Sequence, residues 1–250
     1  MVDPIIEICA NSAESCVQAQ AGGAARVELC AGIPEGGTTP SWGEMKAVRS
    51  RITIQMNVII RPRGGDFLYS EAETEAMLAD IDATRRAGAD GVVFGCLTSE
   101  GDIDVPLTRR LKEEAAGLST TFHRAFDVCR DPMRALEEII ELGFDRILTS
   151  GQRNSAMEGR GLIAQLVERA TGRIIIMPGA GVNENNIAQL ARETGAREFH
   201  MSARESLPSG MAYRGNPVSM GGTVTIDEFS KEITSAAKVG RIISALRSDD

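Results

Sequence analysis

The sequence predicts one α/β domain over residues 1–250, of the eight-stranded parallel (β/α)8 or TIM-barrel class. Three observations lead there. Eight short strand-like runs alternate with amphipathic stretches from one end of the chain to the other. The length of 250 residues suits such a barrel, which typically takes about 250. No Pro/Ser-rich linker or shift in composition divides the chain. A doubly wound open sheet is the competing class, but it usually has fewer strands and places a Gly-rich phosphate turn after its first one. Here ANSAESC follows the first strand. With no G-x-G-x-x-G, a nucleotide cofactor is not expected.

The strand candidates, in order, are IIEICA from Ile5, RVELCA from Arg26, TIQMNVIIR from Thr53, GVVFGCLT from Gly91, TTFHRAF from Thr120, RILTSG from Arg146, IIIMPGAG from Ile174 and EFHMSA from Glu198. They are enriched in β-branched residues and bounded by Gly or polar positions. Between them, Ser70 with Glu73 three residues on forms a capping box ahead of EAETEAMLADIDATRRAG, and Asp131-Pro132 reads as an N-cap with Pro at the first helical position. Gly22, Gly88, Gly143 and Gly195 each precede a strand by a few residues, as expected of left-handed glycines ending helices. A last helix is expected near 226–247. The segment ESLPSGMAYRGNPVSMGG, from Glu205, is long for a βα loop and is expected either to cap the barrel mouth or to meet a neighbouring subunit.

Composition narrows the functional classes. Hydrophobic residues make up 42% and charged residues 25%, enough to build a core. The net charge is −8 and the pI about 5.0, which argues against nucleic acid or an anionic membrane as partner. No apolar run reaches the about 20 residues of a membrane span, and the N-terminus MVDPIIEICANS lacks the pattern of an export signal. Five widely spaced cysteines without a C-x-x-C pair read as free thiols of a reducing cytoplasm.

Alternation along the strands sorts side chains into a barrel-facing and a helix-facing set. Ile6, Ile8, Val27 and Leu29 suit the helix layer. Glu7, Cys9, Glu28 and Cys30 then point inward, with Asn57, Ile59 and Arg61 of the third strand, Thr121 and His123 of the fifth, and His200 and Ser202 of the eighth. Parity in strands four, six and seven stays open. The interior would therefore hold two acids, an arginine, two thiols and both histidines of the chain. Glu7, Glu28 and Arg61 could simply pair as a structural network. TIM-barrel chemistry, however, sits at the C-terminal ends of strands, where most of this set falls.

Four constellations stand out. Cys9 and Cys30 end neighbouring strands about 4.8 Å apart and could hold a soft ion such as Cu(I) almost linearly, or serve as small buried packing groups. A zinc site is not expected without H-E-x-x-H, C-x-x-C or a close His pair. His123 and His200, each at a strand end, could act as acid or base with Glu7 and Glu28, or sit as hydrogen-bonded core residues. In RPRGGDF, Arg61 and Arg63 could clamp a carboxylate or phosphate, unless Asp66 neutralises them. In PGAGVNENN and HMSAR, Gly179 and Gly181 with Ser202 and Arg204 could cradle an anion through the loops after strands seven and eight, or merely make a tight turn.

The runs IEIC, RVELC, EGGTTPS, IRPRGGDFLYS, FHRAFD, DRILTSG and EFHMSAR, with SGMAYR and VSMGG beyond them, resemble the CutC family, long named for copper homeostasis. The resemblance implies a single TIM barrel, a cytoplasmic setting, a homo-oligomer (dimer or tetramer) and copper handling, with Cu(I) on Cys9 and Cys30. Position 10 is Ala10, where some bacterial relatives carry a further cysteine. Besides copper handling, two readings stay open: a lyase or isomerase on a small phosphorylated or carboxylated substrate, using Glu7, Glu28, His123 and His200 as acid–base groups and Arg61 to hold the anion, and a non-catalytic scaffold. The expected ligand is a copper ion or a small anion.

Overall fold

The structure, a computed structural model, describes residues 4–215, 218, 220 and 226–247. Eight parallel strands form a nearly closed barrel: β1 (Ile5–Ala10), β2 (Arg26–Leu29), β3 (Gln55–Ile59), β4 (Gly91–Phe94), β5 (Ser119–Phe122), β6 (Arg146–Thr149), β7 (Ile175–Pro178) and β8 (Glu198–Met201). The ladder runs β7-β6-β5-β4-β3-β2-β1-β8, and β7 lies against β8 at the seam. Helices α1 (Ala13–Ala21), α2 (Trp42–Arg49), α3 (Glu71–Ala87), α4 (Val105–Glu114), α5 (Pro132–Glu141), α6 (Arg160–Ala170), α7 (Ile187–Thr194) and α8 (Ala236–Arg247) follow the strands. All eight sequence-predicted strands are present, and the TIM barrel is the fold. Among the described residues no helix is long and apolar enough to cross a membrane.

Local chemistry explains the element ends. Ser70 accepts from the Glu73 amide while the Glu73 carboxylate accepts from the Ser70 amide, fixing the start of α3. The Asp131 carboxylate caps α5 just ahead of Pro132. Gly88, Gly143 and Gly195 take the left-handed conformation expected of them. At the end of α1 that residue is Gly23, with φ 93°, one later than expected, because Gly22 stays right-handed.

Strand register sets the two faces. Glu7 aligns with Arg26 and Cys9 with Glu28, Glu28 with Asn57, and Glu7 with His200. The opposite face (Ile6, Ile8, Val27, Leu29, Met56 and Val58) joins the apolar layer beneath the helices. The parities left open by the sequence resolve through the same ladder: Val93 aligns with Thr121, Thr121 with Arg146 and Leu148 with Met177, so Val93, Arg146, Leu148 and Met177 face the interior.

One expectation is corrected. The final helix begins at Ala236, not near 226, because Ser230–Thr234 forms a strand, β10, antiparallel to β9 (Arg204–Pro208). This hairpin departs directly from the end of β8, and α8 follows it. Part of the 205–222 segment, including 216, 217, 219, 221 and 222, lies outside the described residues.

Candidate functional site

The barrel core is built on charge. Arg26 donates from Nε to Glu7 and from Nη2 to Glu198 at 2.6 Å, and Glu198 also accepts from Arg146 at 2.8 Å. Arg26 is 1% exposed and Glu7 fully buried. Two cations against two carboxylates, in direct contact, offset the desolvation that either sign alone would suffer. The sequence-predicted alternative, a network of Glu7, Glu28 and Arg61, does not form: Glu7 takes Arg26, while Arg61 sits at the rim. Sequence reasoning missed Arg26, Arg146 and Glu198. The signal for Arg26 and Glu198 was available, since each lies two residues before an inward residue, Glu28 and His200.

The second oxygen of Glu7 accepts from His200 Nδ1 at 2.8 Å. The other ring nitrogen of His200 lies 3.7 Å from Glu28 Oε2. Above them, Cys9 Sγ stands 3.3 Å from Cys30 Sγ and accepts from Arg204 Nη2 at 3.2 Å. Ion pairs and hydrogen bonds thus chain Arg26, Glu7 and His200 together beneath the paired thiols.

This packing sets protonation. Burial opposes ionisation of Glu7, but Arg26 and His200 hold its carboxyl down at about 2. Burial pushes Glu28 up to about 8, with Cys9 and Glu7 adding to the effect and His200 opposing it. Burial disfavours a charged His200, yet Glu28, Cys9 and Glu7 together raise it well above its usual range. The Cys30 thiol, donating to Cys9, carries the Cys9 sulfur well below the usual thiol range against the cost of burial; His200 and Arg204 assist. Cys30, as the donor, is correspondingly raised, with burial contributing. Near neutral pH these influences favour a Glu7 carboxylate, make Cys9 the more readily ionised of the two thiols, and make His200 hold its proton more tightly than a free imidazole.

Cys9, Cys30, Glu28, His200, Arg61 and His123 all line one cavity of about 590 Å³ at the C-terminal ends of the strands, as do Gly181, Ser202 and Arg204. His123 belongs to its other side. Its Nδ1 accepts from the Ala125 amide at 3.3 Å and its Nε2 has no partner. Burial and the Arg61 charge hold it down at about 3, hence neutral. The ring packs directly over Gly95, where a Cβ would meet Nδ1 at 2.9 Å. Arg61 donates to the carbonyls of Glu35, Gly37 and Gly65. Three predicted participants are elsewhere. Glu7, expected as an acid–base group, lies fully buried off the cavity wall with its two oxygens taken by Arg26 and His200. Arg63 leaves the cavity to pair with Asp66 and Glu73, so Arg61 and Arg63 do not form one clamp. Gly179 is absent from the cavity wall; a Cβ there would strike Leu148 Cδ1 at 2.5 Å, so this glycine serves packing between strands. Sequence reasoning also missed Phe67, whose loop placement leaves no periodic signal.

Two groups of residues bring at least three donor atoms within 4.8 Å of one another: Cys9, Glu28 and Cys30, and Glu7, Glu28 and His200. The first combines two soft sulfurs with one harder carboxylate oxygen, and the sulfurs suit a thiophilic metal such as Cu(I) or zinc. The model of the CutC family matches residues 4–205 of this chain. The chain belongs to the CutC family. It is 60% identical to a family protein CutC of Bacteroides thetaiotaomicron, over 97% of this chain and 98% of that protein. It is 49% identical to a mouse protein named copper homeostasis protein cutC homolog, over 98% of this chain and 90% of that one. A crystal structure named as a CutC from Streptococcus agalactiae superposes with a TM-score of 0.76 at 36% identity, covering 80% of this chain and 98% of that one. Charged barrel core, paired thiols and cavity are thus features of a CutC-family barrel.

Proposed function

We propose that this CutC-family chain handles Cu(I), taking the ion as cargo between Cys9 and Cys30 at the rim of the barrel. The observation that carries the reading is the pair of unoxidised sulfurs 3.3 Å apart, both facing the cavity, with one already favoured as thiolate. A cationic His200 beside them balances the negative charge that two thiolates around a monovalent ion leave behind. An almost linear site needs the sulfurs about 4.6 Å apart, twice a metal–thiolate bond of about 2.3 Å. The present separation therefore calls for a side-chain rotation on loading, or for a bent site in which Glu28 supplies a third ligand. Because Cu(I) needs both sulfurs deprotonated, loading releases the Cys30 proton.

The same reading takes residues 1–250 as one domain, working in the cytoplasm, where five free cysteines stay reduced, and as a dimer or tetramer. The decisive experiment is titration of the reduced protein with Cu(I) against a competing chelator. The Cys9→Ser, Cys30→Ser double variant is expected to lose competitive binding. Equal affinity in parent and variant overturns the reading.

A further inference from the structure

The cavity is far larger than one ion requires. At about 590 Å³ it falls in the range of small-molecule pockets, about 300–1,000 Å³. The thiols occupy one side. The side built from β3, β5 and the RPRGGDF loop carries two groups that nothing in the copper reading uses.

Arg61 is 5% exposed and His123 4%. Arg61 spends both Nη atoms on backbone carbonyls, makes no ion pair among the described residues, and its Nε–H has no acceptor. Carbonyls satisfy the donors but leave the charge uncompensated, and a buried cation without a counter-charge is costly. His123 accepts at Nδ1 from Ala125. A neutral ring that accepts at Nδ1 carries its proton on Nε2, and that N–H also lacks a partner. Two unspent donors, one of them cationic, thus share one wall. Phe67 covers them: its ring centroid lies 4.9 Å from that of His123 and 5.1 Å from the Arg61 guanidinium carbon. A ring face is a weak substitute for an acceptor oxygen.

We propose that this wall binds the oxyanion of a small organic molecule, a carboxylate or phosphate, which accepts from His123 Nε2–H and Arg61 Nε–H once the Phe67 ring turns aside. The anion supplies the charge that Arg61 lacks and the acceptor that His123 lacks. The rest of the molecule fills the cavity towards Ser202 and Arg204, whose Nε is also without a partner. Anion binding needs no copper in place, since its two donors follow β3 and β5, which carry neither thiol, although both guests share one cavity.

The test uses the reduced, metal-free full-length protein. Malonate, glycerol 3-phosphate and inorganic phosphate are titrated calorimetrically, with glycerol as the uncharged control, while the imidazole resonances are followed by NMR. Malonate or glycerol 3-phosphate is expected to saturate the protein at millimolar concentration or below, glycerol is not, and the Nε2 proton of His123 moves downfield. Which of the two binds separates a carboxylate from a phosphate ligand. His123→Phe is expected to weaken binding about tenfold or more. His123→Asn, which keeps an acceptor for Ala125 and offers an amide donor, restores part of it, and Phe67→Ala binds at least as tightly as the parent. The proposal falls if no charged probe saturates, if inorganic phosphate alone does, if glycerol binds equally, or if a folded His123→Phe protein binds like the parent. Should that variant not fold, a His123 resonance unmoved by saturating probe in the parent overturns the proposal by itself.

Discussion

Arg26 holds two carboxylates at once, and Glu7 in turn holds His200. Replacing Glu7 by Gln leaves Arg26 and His200 partly unpaired in the core and is expected to cost about 3 kcal/mol or more, read from urea unfolding. The two glutamates act oppositely with pH. Glu7 falls from 4.5 to about 2 on folding, so its contribution, about 3 kcal/mol, is complete above pH 4.5 and is lost as pH drops towards 2. Glu28 rises from 4.5 to about 8, so the folded protein binds the extra proton and stability declines as pH climbs from 4.5 to 8. Glu28→Gln is therefore expected to flatten that neutral limb, and parallel urea midpoints for variant and parent across the range would show Glu28 ionised instead. The inward placement of Glu7, Cys9, Glu28 and Cys30 was legible because strict alternation with Ile6, Ile8, Val27 and Leu29 leaves each strand one choice. The partners of Arg61 were not legible, since its three carbonyl acceptors come from loops whose path no periodicity encodes.

Caps and close approaches govern the elements. Removing the Ser70 hydroxyl with Ser70→Ala takes away one half of the α3 capping box and is expected to cost about 1 kcal/mol, seen as a lower thermal midpoint. Gly95→Ala introduces a methyl 2.9 Å from both His123 Nδ1 and Phe122 Cε1. Overpacking of this kind costs about 1–3 kcal/mol, and it tilts the very ring proposed to meet the anion. All eight strands were legible as β-branched runs between turn residues. The β9–β10 hairpin was not. Its strands, RESLP and SKEIT, are separated by residues 209–229, with no tight turn to announce the pairing, and most of each strand is polar. The final helix expected near 226–247 therefore overlaps what is β10.

For the whole molecule, the copper reading has a thermodynamic consequence: an ion that binds only the folded chain stabilises it by mass action, about 2.7 kcal/mol when free Cu(I) exceeds its dissociation constant a hundredfold. The parent is expected to melt higher under chelator-buffered Cu(I), and the Cys9→Ser, Cys30→Ser protein is not. The interior arrangement adds a constraint on traffic. Arg26, with Glu7, Glu198 and the Met177 sulfur 3.4 Å from its Nη2, fills the tube beneath the thiols, so the vessel is blind-ended. Whatever enters leaves by the way it came. Donor and acceptor must therefore call at the same doorway in turn, and a guest already resting against Phe67 stands in the path of the next arrival.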